Sequence, residues 1–312
     1  MNFDISVLDD TERMIFALRT LYMKHGYTQY RMSKFEEYDL YSRNKDFLVS
    51  DGVVTFTDTN GRLMALKPDV TLSIIKNNRD EEGVVKKLCY NENVYRISRS
   101  TNTFREIMQA GLECIGDVDE SCVAEVLCLA AESLAICDSD FVLEVSHLGI
   151  LSKFVEDISE DPQIRQSILK CAGEKNLHEI TEICKRNNID LEKAEPLKRL
   201  LGLYGSVRDE LPKLIDIAGG RADAEINAIR EALSCFVGTG FEKSIKLDFS
   251  LTGDTNYYNG IIFKGYVEGV SGSVLSGGRY DNLMRRMGRR SKAIGFAVYL
   301  DMLDRRSGGV NA

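Results

Sequence analysis

Residues 104–116 alternate in polarity as a half-buried strand does. Arg105, Gln109, Gly111 and Glu113 fall on one face, and Met108, Ala110, Leu112 and Cys114 on the other. The stretch 89–99 before it is also rich in strand-forming residues, and Ser100, Thr101, Asn102 and Thr103 have turn composition. Together they predict an antiparallel hairpin. Its apolar face suits a core. The face bearing Gln, Gly and Glu suits a pocket wall, because glycine lets a ligand approach the backbone between two hydrogen-bonding neighbours.

The rest of the pattern frames this hairpin. Ile15, Leu18, Leu21 and Tyr22 share one face of a helix over 11–25, capped by Asp9-Asp10 and stopped by Gly26. An extended piece follows at 27–32. Asp58-Thr59-Asn60-Gly61 is a hairpin turn between apolar runs at 53–56 and 63–66. Lys67-Pro68-Asp69-Val70-Thr71 reads as a strand end and a helix start; residues 120–136 form an amphipathic helix and 141–146 a strand.

From 151 to 240 the spacing turns helical, in segments 163–171, 177–185, 191–203 and 224–236 punctuated by Pro162, Pro196, Pro212 and Gly219-Gly220, with no strand candidate between them. Sheet character resumes at 245–251, and 260–266 pairs with 273–275 across a glycine-rich turn. A short helix at 281–287 and a closing segment at 293–303 complete the pattern. The expected class is α+β: an antiparallel sheet flanked by helices, its core drawn from 1–150 and 241–312, with an all-helical insertion at 151–240.

Composition narrows the function. A formal charge of -8 argues against nucleic acid as the main partner, since phosphate binding draws on a basic face. The eight cysteines form no CxxC pair and no cluster with zinc spacing, so no metal site is expected, and Cys122 and Cys128 read as buried thiols of a reducing compartment. The first residues lack a basic, apolar leader, and the most apolar run, 123–136, is broken by Glu125 and Glu132. A cytoplasmic protein without a membrane span is expected.

The hairpin resembles motif 2 of class II aminoacyl-tRNA synthetases. Arg105-Glu106 followed by Gln109, Gly111, Glu113 and Gly116 is similar to the histidyl-tRNA synthetase version. Late in the chain, Tyr257-Tyr258-Asn259-Gly260, Ser276-Gly277-Gly278-Arg279-Tyr280-Asp281 and Gly295-Phe296-Ala297 resemble the histidine-specific signatures and motif 3 of that family. Matching pieces run in family order from about Tyr27 to Leu303, which is more specific than one short pattern. The helical insertion also matches in position. Motif 1 matches loosely, with Ser33 where the family has proline.

The resemblance implies a histidine pocket. Asp69 and Thr71 match the acid and threonine that hold the amino group of bound histidine, and Gln109, Glu113, Tyr257 and Tyr258 complete that half. A regular strand would send one of the two tyrosines to the core, so one is expected to reach deep into the site. Glu113 is read either as a ligand group or as an ion-pair partner of Arg105 or Arg279. The nucleotide half departs from the pattern. Arg96 matches the arginine on the α-phosphate, but Met302 replaces the motif 3 arginine, Tyr299 a motif 3 glycine, Gly253 the histidine-specific arginine and Ser98 the adenine-reading glutamate. One lost arginine of this kind costs about 3–4 kcal/mol of transition-state stabilisation, so adenylation is expected to be negligible. With Gly253 lacking a side chain, Arg96 or Arg105 is the expected cation for the histidine carboxylate.

A pocket that keeps the amino acid and loses the nucleotide, with no room for an anticodon-binding domain, resembles the regulatory-subunit family of ATP phosphoribosyltransferase. That family implies a chain without catalytic residues or cofactor that charges no tRNA. Its partners would be a short-form ATP phosphoribosyltransferase catalytic subunit and a second copy of itself, as a homodimer within a hetero-octamer, with histidine as effector. A histidine-activating ligase is the alternative, separable by ATP–pyrophosphate exchange; a scaffold without ligand binding is a third, separable by calorimetry with histidine.

Overall fold

The structure, a computed structural model, describes residues 5–44, 48, 52–97, 103–253 and 257–304. Its strands are, in chain order, β1 (Thr28–Gln29), β2 (Phe35–Glu37), β3 (Thr55–Thr57), β4 (Leu63–Leu66), β5 (Val85–Ile97), β6 (Phe104–Gly116), β7 (Phe141–His147), β8 (Tyr204–Ser206), β9 (Ile245–Asp248), β10 (Ile261–Val267), β11 (Leu275–Arg279) and β12 (Lys292–Tyr299). Nine of them form one sheet in the order β1-β5-β6-β12-β11-β10-β7-β9-β8, and β2-β4-β3 form a small second sheet. The large sheet is antiparallel except at β1–β5 and β7–β9, which are parallel.

The expected hairpin is β5–β6, thirteen residues on each side, paired from Val85 opposite Gly116 to Ile97 opposite Phe104. Its tip at 100–102, Ser98, and Asp254, Thr255 and Asn256 lie outside the described residues. As the alternation requires, Ala110, Leu112 and Cys114 turn to the main core, with Met108 partly buried against it. Two helices cover that face: Asp10–Lys24, started by an Asp9–Glu12 capping box, and Glu120–Cys137, capped by Asp119. Leu18, Tyr22, Val126 and Leu134 are fully or nearly fully buried between these layers. Cys122 and Cys128 are half-buried, not enclosed, because they sit at the helix margin.

The segment 151–240 departs from expectation in two places. Tyr204–Ser206 is a strand, β8, paired antiparallel with β9 at the sheet edge, so the helical region is not all-helical. A three-residue strand containing glycine leaves no alternation to read. Pro212, expected as a boundary, sits inside the helix Val207–Ala218, whose start is set by Ser206 accepting from the Asp209 amide. The helices Pro162–Gly173 and Leu177–Arg186 begin as expected, behind Asp161 and Asn176 caps. Buried side chains of this region and those behind the sheet form one continuous cluster. None of the described helices is long and apolar enough to cross a membrane.

Candidate functional site

The face of the sheet opposite the two covering helices carries a cavity of about 520 Å³. Two rows of residues in register run beneath it, and six of these residues line it directly: Glu113, Gly295, Tyr90, Ala297, Ser276 and Lys264. One runs Glu113, Gly295, Gly278, Ile262 across β6, β12, β11 and β10; the next runs Tyr90, Gly111, Ala297, Ser276, Lys264 from β5 to β10. Small residues dominate both rows and leave room above the backbone. A Cβ on Gly278 would lie 2.8 Å from the Tyr258 ring, and one on Gly295 would overlap the Glu113 carboxylate. Glycine here makes space for neighbouring side chains that reach into the cavity.

Asp69 stands at one wall as the N-cap of the helix Val70–Asn77, its carboxylate accepting from the Leu72 amide at 2.9 Å. The loop that bears it is tied to β5. The Tyr95 amide donates to the Lys67 carbonyl (2.9 Å), the buried Lys67 pairs with Glu92 (2.6 Å), and Arg96 Nε donates to the Pro68 carbonyl (3.0 Å). That last bond turns Arg96 back from the hairpin and into the cavity wall.

Glu113 lies at the cavity floor, nearly inaccessible to solvent. Its carboxyl accepts from Thr71 Oγ1 at 2.7 Å and from Tyr280 Oη at 2.5 Å. Burial pushes its pKa up to about 8; the hydrogen bonds from Tyr280 and Thr71 pull it down, and the charge of Asp69 adds to the rise. Burial likewise raises Asp69, opposed by the Leu72 amide and by Arg96. Two carboxyls with raised pKa in one concave site mark it as a candidate binding site.

The structure brings Asp69, Thr71, Arg96, Gln109, Glu113, Tyr257 and Tyr258 to one cavity. Arg105 is not among them. It shares the cavity face with Glu113 but lies eight steps away along the strand, roughly 27 Å at about 3.4 Å per residue, and Arg105 is exposed. Glu113 forms no ion pair with Arg105 or Arg279, and Arg279 instead pairs with Asp281 (2.8 Å) and Glu120 (3.5 Å). Both Tyr257 and Tyr258 line the cavity, because the segment before β10 is a turn and strand alternation does not apply. Their ring centroids are 4.6 Å apart, and Tyr257 is 5.8 Å from Tyr280.

Several lining residues went unassigned from sequence. Tyr280 belongs to the Gly-Gly-Arg-Tyr-Asp block that was read only as a signature. Lys264 is the one charge in the otherwise apolar strand Ile-Ile-Phe-Lys-Gly-Tyr-Val, a signal that was available. Ser276, in register with Ala297 and Lys264, lines the cavity with Tyr258 and Tyr299. Tyr299, in register with Gln109, lines the same cavity, whereas Met302 packs against the main core. Among the described residues no cluster of His, Cys, Asp and Glu has the arrangement of a metal site.

A family model described as histidyl-tRNA synthetase matches residues 7–303. An ATP phosphoribosyltransferase regulatory subunit from Clostridium kluyveri is 31% identical over 291 residues, covering 91% of this chain and 74% of the relative. Among solved structures, an ATP phosphoribosyltransferase regulatory subunit/histidyl-tRNA synthetase from Bacillus halodurans superposes with a TM-score of 0.82 at 23% identity, over 96% of this chain and 79% of that one. The ATP phosphoribosyl transferase (HisG:HisZ) complex from Thermotoga maritima matches with a TM-score of 0.73 at 20% identity, over 93% of this chain and 97% of the matched chain. At these identities the two structures establish the class II synthetase-like fold.

Proposed function

The chain belongs to the histidyl-tRNA synthetase family and, within it, to the ATP phosphoribosyltransferase regulatory subunits, and from that premise we propose that its cavity binds histidine and passes the signal to a separate catalytic subunit. The chain is a regulatory subunit, and the phosphoribosyl transfer that opens histidine biosynthesis belongs to the partner. In this reading the partner is a short-form catalytic subunit, and the chain pairs with itself as a homodimer within a hetero-octamer.

The observation that carries the reading is the asymmetry of the cavity. Asp69 faces the amino-acid end with Thr71 and Gln109 beside it, and Glu113 with Tyr280 forms a buried acid at the floor. Tyr299 and Ser276 fill the neighbouring floor, and Met302 is turned into the core. The site therefore offers groups for an ammonium and an imidazole and, among the described residues, lacks the arginine pair that would steady a triphosphate.

In this reading Asp69 holds the α-ammonium and Glu113 the imidazole. Glu113 keeps its proton up to about pH 8, while a free imidazole loses its own near 6.5. Between those values the pair shares one proton, as neutral acid with neutral imidazole or as carboxylate with imidazolium. Calorimetry of the purified chain should give saturable one-to-one heat with histidine and none with ATP alone. Histidine-dependent ATP–pyrophosphate exchange would overturn the assignment. Arg105→Ala should leave histidine affinity within about twofold, since an exposed charge this far away is screened; a tenfold loss would put the hairpin arm into the site.

A further inference from the structure

A free amino acid carries a carboxylate as well as an ammonium group, and an anion taken out of water needs a cationic partner. Among the described residues, the basic side chains lining the cavity are Arg96 and Lys264. Arg96 stands on the β5 side of the cavity, next to Asp69: its Nε donates to the Pro68 carbonyl at 3.0 Å, and its charge opposes the raised pKa of Asp69.

Lys264 is differently placed. It is half-buried, and its side chain makes no hydrogen bond or ion pair among the described residues. Glu144, directly across from it on β7, does not answer it. The groups that act on that carboxylate are Asp248, Tyr204, Tyr266 and Lys175. On its other side Lys264 is in register with Ser276, and Ser276, Ser273, Tyr258 and Tyr299 line the same cavity.

The position also answers a gap. Gly253 lines the cavity without a side chain, and a Cβ built there would lie 3.4 Å from both Ile262 and Tyr258. Ile262 and Lys264 point to the same side of β10, one strand repeat apart. A four-carbon lysine stem two residues along β10 from Ile262 is long enough to reach the neighbourhood of Gly253.

We propose that Lys264 is the residue that binds the carboxylate of the bound amino acid, beside the Ser276 hydroxyl, and so makes the cavity select amino acids over the corresponding amines. The proposal rests on the amino-acid reading of the cavity given above.

The test compares histidine with histamine, which keeps the imidazole and the ammonium but has no carboxylate, by calorimetry on wild type, Lys264→Met and Lys264→Arg. Lys264→Met should weaken histidine binding by about tenfold to a hundredfold, the size of a charge-assisted contact. Histamine should bind wild type and Lys264→Met within twofold of each other, and Lys264→Arg should recover most of the histidine affinity. Wild-type affinity for histidine in Lys264→Met overturns the proposal, and so does an equal loss for both ligands, which would mark Lys264 as a packing residue. Absence of histidine binding to the wild type overturns the amino-acid reading itself, and the role of Lys264 with it.

Discussion

Replacing Gly295 by alanine is expected to lower stability by about 3 kcal/mol or more and to abolish histidine binding. The added Cβ would overlap the Glu113 carboxylate and lie 2.5 Å from the Leu112 carbonyl. Relief by backbone movement is blocked, because β12 is held on both sides, by β6 opposite Glu113 and by β11 opposite Gly278. Overpacking of this kind costs about 1–3 kcal/mol where side chains can yield, and more where backbone is the obstacle. In urea that loss would move the unfolding midpoint down by about 1–3 M, given slopes of about 1–3 kcal/mol/M. Combining Gly295→Ala with Glu113→Ala should restore part of the stability, since one of the two overlaps is removed. A Gly295→Ala protein with wild-type midpoint and affinity would show that the carboxyl does not sit over this glycine.

Glu113→Gln is expected to weaken histidine binding at pH 7 by about tenfold to a hundredfold, the value of a charge-assisted hydrogen bond. The effect should depend on pH in a set direction. Above about 8 the wild-type carboxyl has lost its proton and the shared-proton pair is no longer available, whereas glutamine does not titrate. The wild-type advantage should therefore shrink by about tenfold between pH 7 and pH 9. The same group leaves a mark on the unliganded protein. Its folded pKa is raised from 4.5 to about 8, so the folded state holds a proton that the unfolded chain has already released in that window. Its contribution to stability is present below about pH 4.5 and is lost as pH rises towards about 8, by about 1.4 kcal/mol for each pH unit crossed. Urea unfolding at pH 5.5 and 8.5 should show a steeper decline for wild type than for Glu113→Gln. Parallel declines would mean that Glu113 ionises as an ordinary surface acid.

Local signals carried most of the architecture. The β5–β6 hairpin was legible because alternation over thirteen residues fixes faces, and the apolar face did turn to the core. The helix start at 67–71 was legible from its proline and acid, and the structure adds that Asp69 caps it through the Leu72 amide. The failures arose where local pattern has no bearing. Strand alternation gave Arg105 the correct face, yet distance along the strand, not face, decides what reaches a cavity. The paired tyrosines broke the alternation rule by sitting in a turn. Strand β8 and the two parallel pairings depend on partners far along the chain. Lys264 was visible as a lone charge in an apolar strand, but its meaning required seeing that Arg96 is bound to Pro68 and that Gly253 leaves a gap.

The central claim is that histidine bound in this cavity governs a reaction performed by another subunit. Its most direct test is to mix the chain with a short-form ATP phosphoribosyltransferase catalytic subunit and follow product formation against histidine concentration, with wild type and with Glu113→Gln. The expected result is that the chain raises the rate above that of the catalytic subunit alone, and that histidine suppresses the raised rate at concentrations about tenfold or more higher with Glu113→Gln than with wild type. A rate unaffected by adding the chain, or a histidine response identical for the two proteins, would contradict it.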